Sequence, residues 1–245
     1  MTDPSASAPA RPVKQPFSPI VALDVELPVS RAALGEIGVR GLQSGCGSAV
    51  RRHWLNSDYR SLHDGRGTRT EPGRIYRIED DRYFIQHNVA EPFPIEDESL
   101  DWCYSEHLIE HLSPELGVAW LADMRRLLKP GGFVRVSTPD LRKYAEGYFD
   151  PAREFYTAHA RRLEGLLGEN AAAERRAFMV NKTFYGWGHK WIYDFDELQH
   201  AAVAAGFDAA AVRERAFRES AAAEVAPLDI PARADESVYV EIEKR

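Results

Sequence analysis

The sequence predicts an α/β fold built on a doubly wound, mostly parallel sheet, and three stretches carry that prediction. The apolar run Leu42-Gln43-Ser44 ends in Gly45-Cys46-Gly47, two glycines one residue apart. Glycines at the carboxyl end of a first strand let the backbone turn sharply and let a ligand approach it closely. The next short segment, Trp54-Leu55-Asn56-Ser57-Asp58-Tyr59, ends in an acid that can accept ribose hydroxyls. Farther on, Ser113-Pro114-Glu115 starts a helix, and Lys129-Pro-Gly-Gly132 stops it before the apolar run Phe133–Ser137. Strand, glycine turn, strand, acid, then strand–helix–strand describe a nucleoside site at the carboxyl ends of a parallel sheet.

A dinucleotide fingerprint fits these residues badly. The third glycine of Gly-x-Gly-x-x-Gly is Val50 here, and Asp58 follows Gly47 by eleven residues. That fingerprint expects its acid about 20 residues on.

The elements follow in order. Residues 1–18 are rich in Pro, Ala and Ser and read as a disordered arm. Ile20–Val29 alternates as a half-buried strand, and Ser30 caps a short helix. The first two parallel strands begin at Leu42 and Trp54; the link between them is too short for a crossover helix, because parallel strands usually need a dozen or more linking residues. Arg60–Glu79 is Gly- and charge-rich and reads as a loop anchored by Ile75 and Ile78, with room for a small hairpin. Strand three is Arg82–Gln86 and strand four Leu100–Tyr104. Between them, Glu96-Asp97-Glu98-Ser99 is an acidic turn without spaced partner ligands.

Leu116, Trp120, Met124, Leu127 and Leu128 give the helix after Ser113 its buried stripe. Asp150-Pro151 opens a further helix with Phe155, Leu163, Leu166 and Leu167 as apolar positions. With Ala171–Val180 it forms a helical insertion, about 141–193, that reads as a lid. Asp194-Phe-Asp-Glu197 is a capping box for a helix ending at Gly206. Strand six lies near Ala209–Arg213 and the last strand spans Glu236–Glu243. Residues 19–245 therefore form one domain.

Composition excludes several functions. A net charge of -7 argues against wrapping a nucleic-acid backbone. The two cysteines, Cys46 and Cys103, form no Cys-x-x-Cys pair. No apolar stretch approaches the roughly 20 residues that span a bilayer, and the N-terminus lacks a signal-peptide core. A cytoplasmic protein without membrane or nucleic-acid partners is expected, and a homodimer stays open.

From Glu91-Pro-Phe-Pro-Ile-Glu-Asp-Glu-Ser-Leu-Asp-Trp-Cys-Tyr-Ser-Glu-His-Leu-Ile-Glu-His-Leu112 and Met124-Arg-Arg-Leu-Leu-Lys-Pro-Gly-Gly-Phe-Val-Arg-Val-Ser-Thr-Pro-Asp140, the chain resembles class I S-adenosylmethionine-dependent methyltransferases. It looks closest to a small bacterial branch associated with glycan or natural-product pathways. The resemblance runs from Gly41 to Pro139 and resumes at Trp187–Asp194 and Ala205–Phe207.

It implies a Rossmann-like, seven-stranded sheet with an antiparallel last strand. It also implies S-adenosylmethionine as cofactor, S-adenosylhomocysteine as product, and methyl transfer to a small-molecule or glycan acceptor, most simply a hydroxyl oxygen. Ser44, Gly45, Cys46 and Gly47 then pass under the methionine part, Asp58 meets the ribose, Asn88 and Val89 meet adenine, and Ser105 and Glu106 line the crevice. Two other readings stay open: the same cofactor fold running a different reaction such as a cyclisation, or a non-catalytic partner subunit.

The acceptor end draws on two histidine-bearing stretches. His107 and His111 are four apart, but Glu110 sits beside the second rather than the first, so the His-Glu-x-x-His zinc pattern fails and no metal is expected. His107 is a catalytic candidate, as an acid/base or an acceptor-orienting group, whereas His111 reads as a cap or core residue. In Tyr185-Gly-Trp-Gly-His-Lys-Trp191, Tyr185, Trp187 and Trp191 offer flat faces to a sugar or other acceptor. His189, with an ordinary pKa near neutrality, is the favoured general base.

Overall fold

The computed structural model describes residues 17–152, 154–167 and 175–245. The expected arm lies almost wholly outside the described residues, as do Ala171–Glu174 of the insertion and the side chains of Leu166 and Leu167.

One nine-stranded sheet runs through the domain in the order β1-β4-β5-β3-β2-β6-β7-β9-β8. Its parallel centre is β5 (Arg82–Gln86), β3 (Trp54–Asp58), β2 (Gly41–Ser44), β6 (Leu100–Glu106) and β7 (Leu128–Pro139). The last strand, β9 (Ser237–Glu243), pairs antiparallel with both β7 and β8 (Val212–Arg215). This is the expected seven-stranded arrangement with two strands added at one edge.

The additions correct the sequence reading. Ile75–Ile78 is a strand, β4, antiparallel to β5, and β1 (Ile20–Ala22) pairs antiparallel with β4. The alternation from Ile20 to Val29 thus yields only a three-residue edge strand. Val29 still fills the core, with no exposure, beside Ile95. The stretch after Gly206 begins with a 3-10 turn, Ala209–Ala211, and β8 starts at Val212. The Lys129–Gly132 turn lies within β7, where the register against β6 shifts between Leu100 and Trp102.

Sheet parity divides the core. Leu42, Leu55, Cys103, Val134 and Val136 face α2 (Pro114–Leu127), whose Trp120, Leu121, Met124 and Leu127 are buried among them. Ser113 caps α2 by accepting Leu116 N–H, and Pro114 takes the first turn. Against α2 packs α6 (Phe195–Ala204), where Asp194 accepts Glu197 N–H and Gly206, at φ +91°, ends the helix. A short helix, α1 (Arg31–Glu36), is capped by Ser30 as expected.

The opposite face has no crossover helix after β2. The link 45–53 is held by Asn56, whose side chain accepts Arg51 N–H at 2.7 Å and donates to Arg51 O at 2.9 Å. Trp54, Trp102, Tyr104 and Phe133 on that face are covered by Val225 and Leu228, from the segment between β8 and β9. Arg135 anchors this cover. Its guanidinium, fully buried, grips Asp229 through two bonds of 2.9 and 2.6 Å and donates to Glu219 O at 2.8 Å.

Between β7 and α6 stand three helices: α3 (Leu141–Phe149), α4 (Glu154–Leu167) and α5 (Arg176–Tyr185). Asp140 caps α3 through Arg142 N–H, and Asp150 accepts Ala152 and Glu154 N–H between α3 and α4. Tyr144, Tyr156, Ala160, Leu163 and Met179 form the insertion's own small core. Buried Tyr144 ties it to the start of β9, donating to Glu236 at 2.7 Å and meeting His159 at 3.0 Å.

Asp229→Ala would take from buried Arg135 its two-bond partner and leave Glu241, 3.3 Å away, as its carboxylate, so stability should fall by up to about 3–5 kcal/mol, the scale of a broken buried pair. Chemical denaturation should show that loss; a variant as stable as the parent would mean the segment does not depend on this pair.

Candidate active site

The carboxyl ends of β2, β3 and β6 meet where β2 has neighbours on both sides, the switch point at which open α/β sheets take ligands. Gly45 and Gly47 turn there at φ +70° and +54°. A side chain on Gly45 would press on Leu108, 3.1 Å away, while beside Gly47 there is open space. Asp58 accepts Gly47 N–H and Arg60 N–H, each at 2.9 Å. The acid therefore shapes the glycine turn as well as facing the crevice. A carboxylate retains further lone pairs for a ligand's hydroxyls.

Other expected residues stand differently. Ser44, Ser57 and Ser105 are neighbours across three strands, on the α2 face, because they share parity with Leu42, Leu55 and Cys103. Ser44 Oγ points at Met124 Sδ, 4.0 Å away, so Ser44 and Ser105 can serve the crevice through backbone only. Cys46 is buried, its N–H bonded to Ser57 O, and burial pushes its thiol pKa up. Glu106 accepts Ile230 N–H at 3.1 Å under the β8–β9 segment, and burial raises its carboxyl pKa. Asn88 is exposed and caps its own turn by accepting Ala90 N–H, while Val89 packs on the main core. Two surface cavities, of about 230 and 220 Å³, lie by Phe133 and Arg213 and by Val118 and His200; no residue of the expected site lines them.

At the acceptor end the fold assembles a group that local spacing hid. After β6 the chain makes a 3-10 turn, Ile109–His111. Glu110 is fully buried, accepts from Thr138 Oγ1 at 3.0 Å, and its backbone oxygen receives Lys190 and Trp191 N–H. Those two bonds lay the α5–α6 loop over the turn, bringing the His111 and His189 rings edge to face at 4.8 Å. Ligand-capable atoms of Glu110, His111 and His189 all lie within 4.8 Å of one another. The expectation that no ligand set exists rested on spacing within local stretches, the His107–His111 pair and the acidic turn among them; the second imidazole comes from a distant loop. His111, read from sequence as a cap or core residue, is half buried within this group.

His189 Nδ1 donates to Thr183 O at 2.7 Å, leaving Nε2 as the acceptor. Burial pushes its pKa down to about 4, against the near-neutral value expected from sequence. Burial also raises Glu110 to about 8 and lowers His111. His107 is turned into the fold: its Nε2 meets Ser237 Oγ at 2.8 Å and its Nδ1 lies 3.4 Å from Glu110 Oε1. Burial holds its pKa well below the ordinary value.

Of the aromatics, Tyr185 is 84% exposed, and Trp187 and Trp191 are exposed as well. Lys182 Nζ sits 4.9 Å from the Trp187 ring centre, and Trp191 Nε1 donates to Glu197. Trp187 adopts φ +54°. Gly186 before it has no alternative, since a Cβ there would lie 2.3 Å from Lys182 O.

A family model described as a methyltransferase domain matches residues 42–136, from β2 into β7. Over that segment the chain is similar to a methyltransferase domain, and S-adenosylmethionine is the cofactor this supports. No curated protein matches the chain. Among solved structures, it is similar to a SAM-dependent methyltransferase from Archaeoglobus fulgidus, at 15% identity over 87% of this chain and 92% of that one, TM-score 0.47. Another similar structure is a Thermotoga maritima methyltransferase described as a possible histamine N-methyltransferase, at 16% identity over 84% and 82%, TM-score 0.40. The CurJ carbon methyltransferase is similar at 10% identity over 84% and 48%, TM-score 0.45. Likeness at that level carries no acceptor to this chain. Among the described residues, no helix is long and apolar enough to cross a membrane.

The open cradle beside Gly47 and the spare lone pairs of Asp58 fit such a cofactor. Asp58→Ala should weaken S-adenosylhomocysteine binding by about 1–3 kcal/mol, the scale of a lost hydrogen bond involving a charged group. Calorimetry checks this; unchanged affinity in a folded variant would remove Asp58 from the site.

Proposed function

We propose that this chain is a cytoplasmic O-methyltransferase acting on a hydroxyl of a small-molecule or glycan acceptor. The observation that carries the reading is adjacency. Leu108, two residues before Glu110, lies beside Gly45, where an added Cβ would come within 3.1 Å of it, so the glycine turn and the Glu110–His111–His189 group share one end of the sheet. Cofactor and acceptor machinery would then stand side by side, as a direct displacement requires.

Gly45, Cys46 and Gly47 would hold the cofactor by backbone, with Asp58 on the ribose and Asn88 and Val89 near adenine. S-adenosylmethionine supplies an activated methyl: the acceptor oxygen forms the new C–O bond as the S–C bond breaks, and sulfur keeps that electron pair as a neutral thioether. The chain's own residues must align the acceptor and remove its proton. His189 Nε2 is unprotonated at neutral pH, and the Thr183 carbonyl fixes the ring's tautomer. It accepts the hydroxyl's hydrogen bond and passes the proton on to solvent, since a group of such low pKa does not retain it. His107 acts behind it, positioning Glu110 from the Ser237 side. Tyr185, Trp187 and Trp191 offer exposed aromatic faces for a flat or sugar-like acceptor.

The loop bearing His189 is pinned to Glu110 by backbone bonds and can exclude water when closed. His189→Ala should therefore lower turnover about 10²–10⁴-fold, the range of general acid–base catalysis. S-adenosylhomocysteine affinity should hardly change. Equal loss of affinity and rate would make the loop structural, and near-normal turnover would reject His189.

A further inference from the structure

We infer that Glu110, His111 and His189 form a binding site for a divalent first-row transition ion such as Zn²⁺ or Co²⁺. Geometry carries this. Their ligand-capable atoms lie within 4.8 Å of one another. Atoms sharing one such ion tetrahedrally at about 2.1 Å stand about 3.4 Å apart, so closing the set takes at most about 1.4 Å.

The atoms that would face the ion are free to do so. Glu110 is fully buried; Oε2 is held by Thr138, and Oε1 makes no hydrogen bond, with His107 Nδ1 3.4 Å away. An orphaned oxygen at zero exposure is costly unless something occupies it. His189 donates Nδ1–H to Thr183 O, and the His111 ring stands edge to face with it at 4.8 Å. In His189 the backbone oxygen fixes Nδ1 and leaves Nε2 as a lone pair. Metal-bound histidines are held in this manner, with the outer nitrogen donating to a carbonyl or carboxylate.

Two imidazoles and one carboxylate suit transition ions better than Mg²⁺ or Ca²⁺, which favour oxygen-rich sets. Three protein ligands also leave positions open to water or an acceptor hydroxyl, as in catalytic rather than structural sites. The positive Arg233 lies within electrostatic reach of all three groups and would moderate the affinity. With the ion bound, His189 Nε2 is a ligand and no longer the base, and the ion itself lowers the pKa of a coordinated hydroxyl so that its proton passes to solvent; this rests on the acceptor reading above and replaces its base. Binding itself does not depend on that reading.

The test is titration of the chelator-stripped full chain with Co²⁺, followed by its visible absorption and by calorimetry. Saturable binding of one Co²⁺ per chain is expected, with affinity reduced at least ~10-fold in Glu110→Gln, His111→Ala and His189→Ala. Glu110→Gln keeps the side chain's volume and its acceptor for Thr138, and circular dichroism confirms that each variant is folded. Absence of saturable binding by the parent chain overturns the site, as does unchanged binding in all three folded variants. Because the readout needs no methyl acceptor, a failure of the methyltransferase reading would leave this result standing.

Discussion

The link between β2 and β3 sets the constraint on which much of this fold depends. Residues 45–53 join two parallel neighbours without a helix, and Asn56 ties the link by hydrogen bonds to Arg51. A parallel sheet needs both faces covered. With no helix after β2, the Trp54–Trp102–Phe133 face is covered by irregular backbone from the β8–β9 connection. Irregular backbone brings polar groups that cannot be left unpaired. Arg135 answers that demand from the sheet side, taking Asp229 and the carbonyls of Glu219 and Ala216. A lysine could not engage so many partners in fixed directions.

That cover also shapes the crevice. Asp229 and Ile230 lie together in the segment, and Ile230 N–H bonds Glu106 at the end of β6. Arg51, from the short link, reaches Leu228 O at 2.9 Å. The glycine turn, the end of β6 and the β8–β9 segment are thus coupled through side chains that a helical crossover would have held apart.

The strand ends were legible because their signals are local. Gly45-Cys46-Gly47, Asp58 and the Ser113 cap each announce a turn or terminus within a few residues, and the fold places them where that chemistry predicts. β4 was hidden because a four-residue strand next to a Gly- and charge-rich stretch leaves little periodicity; Ile75 and Ile78 were visible only as anchors. α3 was signalled by Asp140 before Leu141, an N-cap that looks like any strand-end acid until the helix is seen. The Arg135–Asp229 and Glu110–His189 contacts could not be read at all, since they join residues far apart in sequence. Burial then changed the chemistry of what had been found: the imidazole of His189 was visible, but not the desolvation that lowers its pKa.

The two halves of the candidate site are held by different kinds of force. On the cofactor side, Asp58 and the backbone of β2 and β3 fix the glycine turn within the sheet's hydrogen-bond ladder, so that geometry persists as long as the sheet does. On the acceptor side, a left-handed Trp187 sits between two glycines, a conformation that costs energy for a bulky residue. What offsets it is a short set of bonds: two N–H groups to Glu110 O, one imidazole to Thr183 O and one indole to Glu197. Because these bonds leave from adjacent residues of one loop, losing some removes the order that the others need, and the loop releases as a unit. The imidazole of His189 is therefore either withdrawn with the whole loop or delivered with it against His111. On the function proposed above, proton handling, exclusion of water and the aromatic acceptor surface would then become one event, while the glycine turn stays unchanged beneath it.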